Sequence, residues 1–263
     1  MSRLYASLIH QCRLFFIALQ FFTRLPIPRW VGFAPDWLHH ASRYFPLVGI
    51  LVGSVCAAVH VAVAQWWPAP VAALLATGAG IYLTGAFHED GFADMCDGFG
   101  GGMTRERVLD IMKDSRIGAY GAIGIGGLLA LKVTLLSQLT PGVAAAALLL
   151  AHPLSRVAAC ALIWRLDYAR AEGKAKPLAQ EMSGLEFAIA AATGALPALI
   201  MAWCGYLPWT GMLAGAMGAA LSSAWLAHAF VRRLGGYTGD CLGAVQQVSE
   251  VAFYLALTAR AWH

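Results

Sequence analysis

Charge is scarce in this chain. Only 12% of its 263 residues are Asp, Glu, Lys or Arg, and two stretches of 45 residues, Tyr44 to His88 and Phe187 to Val231, contain none at all. So little charge cannot solvate a globular surface of this size, which excludes an ordinary water-soluble domain. Paired cysteines are missing too: Cys12, Cys56, Cys96, Cys160, Cys204 and Cys241 are dispersed with no Cys-x-x-Cys pair, so neither a disulfide framework nor a zinc site follows. The formal charge of +4 forms no continuous basic stripe, so nucleic acid is not an expected partner. A cleavable signal peptide is also absent from the expectation, because Arg13 interrupts the first apolar run and Thr23-Arg24-Leu25-Pro26-Ile27-Pro28 offers no small-residue cleavage site.

What is present is apolar length. Hydrophobic residues make up 59% of the chain and the mean hydropathy is +0.64, whereas about 20 apolar residues suffice to cross a bilayer. Each uncharged stretch therefore holds two passes, broken at Trp67-Pro68-Ala69-Pro70 and at Gly205-Tyr206-Leu207-Pro208-Trp209, where Pro interrupts a helix and Trp favours the interface. Ile117 to Leu139 and Gly142 to Trp164 form another pair, and Leu242 to Trp262 offers a seventh, weaker span that carries Glu250 and Arg260. The pattern predicts an all-α polytopic integral membrane bundle of six or seven transmembrane helices, one membrane domain over residues 1–263. Residues 1–43 form its cytosolic or interfacial N-terminal segment, with an interfacial helix from Ser7 to Phe22. Fifteen of the 18 Lys and Arg fall before the first span, in the loop around residues 105–116, around residues 165–176, or at Arg232-Arg233. The three short turns at 67–70, 139–142 and 205–209 carry none. By the positive-inside rule the charged loops, including 88–116, 165–184 and 232–240, face the cytosol across a bacterial inner membrane.

Acid is concentrated in one place. Seven of the 14 carboxylates lie between Glu89 and Asp114, four of them in the acidic loop's opening segment His88-Glu89-Asp90-Gly91-Phe92-Ala93-Asp94-Met95-Cys96-Asp97-Gly98. If that segment is helical, Asp90, Asp94 and Asp97 share a face at i, i+4 and i+7, and their mutual repulsion calls for a cation. Hard oxygen ligands favour Mg²⁺ or Ca²⁺, and Mg²⁺ characteristically combines a few carboxylates with phosphate oxygens. The plain alternative is a solvated acidic loop. Gly98-Phe99-Gly100-Gly101-Gly102 offers backbone amides to a phosphate, Thr104 reads as a helix N-cap, and Lys113 and Arg116 stand at the mouth of the third span. Arg232, Arg233 and Asp240 form a second patch on the same side, where Asp240 completes a metal site or the arginines meet phosphate. Among intramembrane residues, Arg156 is a substrate-contact candidate or a partner of Glu250, Lys132 snorkels toward the outer end, and His60 and His228 read as satisfied packing residues.

These segments together resemble the cobalamin synthase family, the adenosylcobinamide-GDP ribazoletransferases. The likeness begins at Phe22-Thr23-Arg24-Leu25-Pro26-Ile27-Pro28, continues through Arg43-Tyr44-Phe45-Pro46-Leu47-Val48-Gly49, and is strongest at His88 to Gly98 and Lys113-Asp114-Ser115-Arg116-Ile117-Gly118. It ends at Gly236-Tyr237-Thr238-Gly239-Asp240. The resemblance implies a Mg²⁺-dependent transfer at the cytosolic face: a hydroxyl of α-ribazole, or of its 5′-phosphate, attacks adenosylcobinamide-GDP and GMP leaves. On that reading Asp90, Asp94 and Asp97 hold the metal, Glu89 is a further ligand or the base for the attacking hydroxyl, and Lys113, Arg116, Arg156 and Asp240 contact substrate. A homo-oligomer or a complex with other cobalamin-pathway enzymes is compatible with it. The alternatives are a CDP-alcohol-type lipid phosphotransferase, whose acidic motif Asp94-x-x-Asp97-Gly98 resembles, and a secondary transporter, in which the acids would sit near the bilayer midplane.

Overall fold

A computed structural model describes residues 2–32, 34–169 and 182–259, and among these the chain forms helices and no β-strand. In order they are α1 (Ser2–Phe22), α2 (Pro35–Ala41), α3 (Phe45–Val63), α4 (Ala69–Thr84), α5 (Phe87–Gly101), α6 (Arg105–Ile111), α7 (Ala119–Ser137), α8 (Pro141–Arg165), α9 (Gly184–Trp203), α10 (Trp209–Leu234) and α11 (Gly239–Leu257). The residues that break the apolar runs also open the next helix. Pro70 and Pro141 occupy first-turn positions, where a missing N–H costs nothing because no intrahelical acceptor exists there. Thr104 caps α6 by accepting from Arg107 N at 3.3 Å, as expected, and Ser183 with Glu186 closes a reciprocal capping box on α9.

Five helices are long and apolar enough to cross a membrane: His39–Val63, which runs α2 into α3, and α7, α8, α9 and α10. A sixth crossing is counted if α4 and α5, bent by 92° at their junction, form one broken span. The seventh stretch does not qualify on composition, because α11 carries Asp240, Gln246, Gln247 and Glu250. It packs against α5, α7, α8 and α10. A helix sheathed by other helices has no need of an apolar circumference, so its polar groups meet protein rather than lipid. α8 is the other inner helix, against α3, α9, α10 and α11, whereas α9 and α10 turn Leu199, Trp203, Leu221 and Trp225 outward. The N-terminal helix α1 contributes a shorter apolar stretch, Ser7–Phe22, packed on α2 and α3.

The connections sort to two ends. Arg105 donates to Leu234 O at 2.7 Å and to Ala169 O at 2.9 Å, and Tyr237 N donates to Asp167 O at 3.0 Å, so the connections after α5, α8 and α10 are tied together. Arg43 and His40 reach Glu186 at 2.5 and 2.7 Å, bringing the start of α9 to the same end. At the opposite end Tyr206 lies against Gly142, so the uncharged turns before α8 and α10 meet. Arg170, Lys174 and Lys176, three of the cations expected at the charged end, lie outside the described residues. His60 and His228 depart from expectation: His60 is fully buried with neither ring nitrogen bonded among the described residues, and His228 is exposed on α10.

Candidate active site

The site begins at a backbone bend. The last turn of α4 closes on Gly85 at φ 67°, and Ala86 N donates back to Ile81 O at 2.9 Å, the arrangement that ends helices with a left-handed residue. Ala86 also adopts a positive φ, 59°, a conformation that costs energy for any residue with a Cβ. The acidic segment expected as a loop is therefore helix α5, turned across the charged end of the bundle. It is helical because Phe92, Met95 and Phe99 recur at helical spacing and bury a stripe against the bundle.

The three aspartates do share a line along α5, and the line descends into the protein: Asp90 is exposed, Asp94 half-buried and Asp97 buried. Asp97 accepts from Gly118 N at 2.7 Å and Gly121 N at 2.8 Å, one to each oxygen. A carboxylate there satisfies amides that the first turn of α7 leaves without partners and faces the positive end of its dipole. A Cβ on Gly118 or Gly121 would strike that carboxylate, so glycine at both positions lets α5 and α7 lock. Asp240 stands across from Gly91. A Cβ on Gly91 would lie 3.0 Å from Asp240 Cα, so α5 and α11 touch backbone to backbone one turn from Asp94. Among the described residues no three His, Cys, Asp or Glu side chains already converge as a metal-ligand set. Asp90 and Asp94 on α5 and Asp240 on α11 could hold a hard cation only together with oxygens supplied by a phosphate. Asp97, the third expected ligand, has both of its oxygens engaged by amides at the start of α7.

Glu89 lies on a different face. It is buried, Gln247 Nε2 donates to its Oε1 at 2.8 Å, and its Oε2 has no partner among the described residues. Beneath it is a charged network that the linear sequence did not assemble. Lys132 Nζ meets Glu250 Oε1 at 2.5 Å, Tyr254 donates to the same oxygen at 2.9 Å, Gln246 donates to Oε2 at 2.7 Å, and His152 Nδ1 lies 3.4 Å from Oε2. Lys132 is only 4% exposed, which corrects the snorkelling expectation. The available signal was arithmetic: a lone Lys in α7 and a lone Glu deep in α11 each require a partner in an apolar bundle. Arg156 is equally buried, yet its Nη1 donates only to His152 O in its own helix at 2.9 Å, and no carboxylate reaches it within ion-pair distance among the described residues. Glu250 is held by Lys132 instead.

At the solvent edge, Arg116 is clamped by Asp114 in a two-pronged contact, Nε to Oδ1 at 3.1 Å and Nη2 to Oδ2 at 2.7 Å, and Lys113 beside it is exposed. The Arg116 guanidinium holds the Asp114 carboxyl down at about 2. Arg233 is not open to phosphate: it donates to Phe99 O at 2.8 Å and to Gly102 O and lies over the Phe99 ring. Nor does the glycine run form a cradle. It is helical to Gly101, and a Cβ at Gly98 or Gly102 would strike Met112 or Val108, so these glycines admit α6.

Membrane-length helices, with a carboxylate-bearing helix bent across the charged end and a charged network sealed below it, define a polytopic integral membrane protein with a polar site at one end of its bundle. The chain belongs to the cobalamin-5-phosphate synthase family, whose profile matches residues 14–258. Among similar proteins, the adenosylcobinamide-GDP ribazoletransferase of Leptothrix cholodnii is 50% identical over 263 residues, covering 98% of this chain and 99% of that one. Those of Ralstonia nicotianae and Shewanella frigidimarina are 48% and 45% identical over 261 residues, covering 97% and 95% of this chain and 98% and 96% of theirs. No solved structure matches the chain. The motif resemblance is thus borne out over nearly the whole length, and it sets aside the lipid phosphotransferase and the transporter.

Proposed function

We propose that this enzyme joins adenosylcobinamide-GDP to ribazole at the charged end of its bundle. A ribazole hydroxyl attacks the phosphorus that bears the cobinamide. The bond to the bridging oxygen breaks, GMP departs, and a phosphodiester forms. The observation that carries the reading, beside family membership, is the position of the α5 carboxylates on a helix bent across the end where the cationic connections gather. Mg²⁺ would be held by Asp90 and Asp94 with Asp240 opposite, and when bound it would neutralise pyrophosphate charge. Asp97 holds α5 against α7 and so fixes the spacing of that face. Glu89 points into the bundle, away from Asp90 and Asp94, so acting as ligand or as base for the attacking hydroxyl would require a water or the substrate itself to reach its unpartnered Oε2. Lys113 and Arg116 lie at the rim, where a donor's phosphates would pass.

The charged end is assigned to the cytosol of a bacterial inner membrane on the clustering of cations. Two measurements test the whole. GMP release from adenosylcobinamide-GDP, with ribazole or its 5′-phosphate and with or without Mg²⁺, is expected only with acceptor and metal together. A single cysteine at position 100 in a cysteine-free background is expected to label from the cytosolic side, and periplasmic labelling alone would reverse the orientation.

A further inference from the structure

Next to the α5 carboxylates the bundle contains a narrow slot with almost wholly apolar walls. Phe21 and Phe22 at the end of α1, Phe45 at the start of α3, and Phe87 and His88 at the start of α5 enclose it. The rings brace one another: Phe22 meets Phe45 edge-on at 4.5 Å and Phe87 at 5.5 Å, Phe21 meets Phe87 at 5.1 Å, and His88 stacks on Phe22 at 5.2 Å with planes 14° apart. Besides His88, two polar side chains line the same slot, Arg156 and Gln246, each only 2% exposed. Arg156 Nε and Gln246 Oε1 both lack partners among the described residues. A buried donor or acceptor left unbonded is costly, and its retention calls for something that bonds it.

The chemistry of the occupant follows by elimination. Aromatic boxes commonly hold cations, but the fixed charge of Arg156 opposes one here. A pyrophosphate would have to desolvate against four phenylalanines with one guanidinium in compensation. A flat heteroaromatic ring suits the lining, since its faces and edges pair with the rings and a ring nitrogen can accept from Arg156; the slot as it stands holds only about 30 Å³, so the aromatic walls must part to admit it. The slot also opens where a nucleoside would need it to, since Phe87 is part-exposed one turn from Asp90 and the lining residue Gly239 directly precedes Asp240.

We propose that this slot seats the base of the acceptor nucleoside, with Arg156 donating to its unsubstituted ring nitrogen and the sugar emerging toward the carboxylate face of α5. The proposal rests on the ribazoletransferase reading, in which the acceptor is an N-glycoside of a benzimidazole-type base. One ring nitrogen then carries the ribose and the other keeps its lone pair.

The test uses the full chain in lipid nanodiscs. Binding of ribazole is measured by titration calorimetry without donor, with benzimidazole as competitor, and the KM of each substrate is measured by GMP release. Phe87→Leu removes one wall, and Arg156→Lys keeps the charge but moves the donor. Each is expected to weaken ribazole binding and raise its KM about tenfold, with the donor KM within about twofold of wild type. Should Phe87→Leu fail to fold, Phe21→Leu carries the same expectation. Ribazole binding unchanged in the variants, no competition by benzimidazole, or a rise confined to the donor KM would each overturn the assignment. Failure of the enzymatic reading has its own signature, an absence of GMP release by wild type, and the binding arm decides the slot independently of it.

Discussion

Glu89 and Asp90 are adjacent in the chain and stand in different media. Asp90 opens the carboxylate line of α5 toward solvent, while Glu89 points into a sealed interior beside Gln247, above the Lys132–Glu250 pair. The two regions use charge in opposite ways. On the α5 face like charges stand together along a line that opens to solvent at Asp90, an arrangement that suits a cation and phosphate oxygens. In the interior Lys132 meets Glu250 as an opposite charge, Tyr254 and Gln246 complete its oxygens, and the His152 ring lies beside them. That arrangement is informative about the fold: it pins α7, α8 and α11 in one register.

The sharpest way to break the comparison is to remove one member of the interior pair. Lys132→Met leaves Glu250 as an uncompensated buried charge, and loss of one partner of a buried pair costs about 3–5 kcal/mol. The expected result is a large fall in folded yield and melting temperature. Adding Glu250→Gln is expected to recover part of it, because the double variant removes both charges of the pair. A single variant as stable as wild type would mean that water or lipid headgroups reach the site.

The α5 face should respond the other way. Asp94→Asn preserves volume at a half-buried position, so insertion and melting temperature should hold while turnover falls by roughly two to three orders of magnitude, the scale set by removing one electrostatic contact at a reacting centre. Near-normal turnover at limiting Mg²⁺ would remove Asp94 from the metal set. Asp97→Asn separates the two regions within one helix. Its amide nitrogen would face the N–H of Gly118 or Gly121, donor against donor, at a cost of about 1–3 kcal/mol. Its activity loss should therefore arrive with a lowered melting temperature, unlike that of Asp94→Asn.

This contrast also explains what could be read from the sequence. The spans, the Pro-opened turns, the Thr104 cap and the acidic motif are local signals, each complete within a few residues. The interior network is not local: Glu89, Lys132, His152 and Glu250 lie on four helices, and each alone resembles an isolated polar residue in an apolar run. The 92° bend was illegible because it depends on Ala86 adopting a left-handed conformation that its side chain disfavours. α11 was half-legible, since its polar residues argued against a span yet could not reveal that four other helices surround it.

The smallest expected effect lies at the rim. Arg116 is gripped by Asp114 in the absence of substrate, so a donor phosphate must compete with that carboxylate for the guanidinium. If Arg116 contacts substrate, its two possible losses have opposite signs. Arg116→Ala should raise the KM for adenosylcobinamide-GDP a few-fold, since an exposed charge contact is screened by solvent and salt. Asp114→Asn, which frees the guanidinium, should lower it. If the pair only shapes the connection between α6 and α7, both changes should move KM in the same direction or not at all. The pH dependence gives a further check. The Asp114 carboxyl is depressed from 3.8 to about 2, so the pairing is fully present above the ordinary carboxylate range and is lost only as pH falls through about 2. Between pH 6 and 8, as an assay range of about neutral, the pair does not titrate, and any pH dependence of KM there should be identical in wild type and Asp114→Asn. A KM profile that diverges between the two near neutral pH would show that a different group competes for the guanidinium.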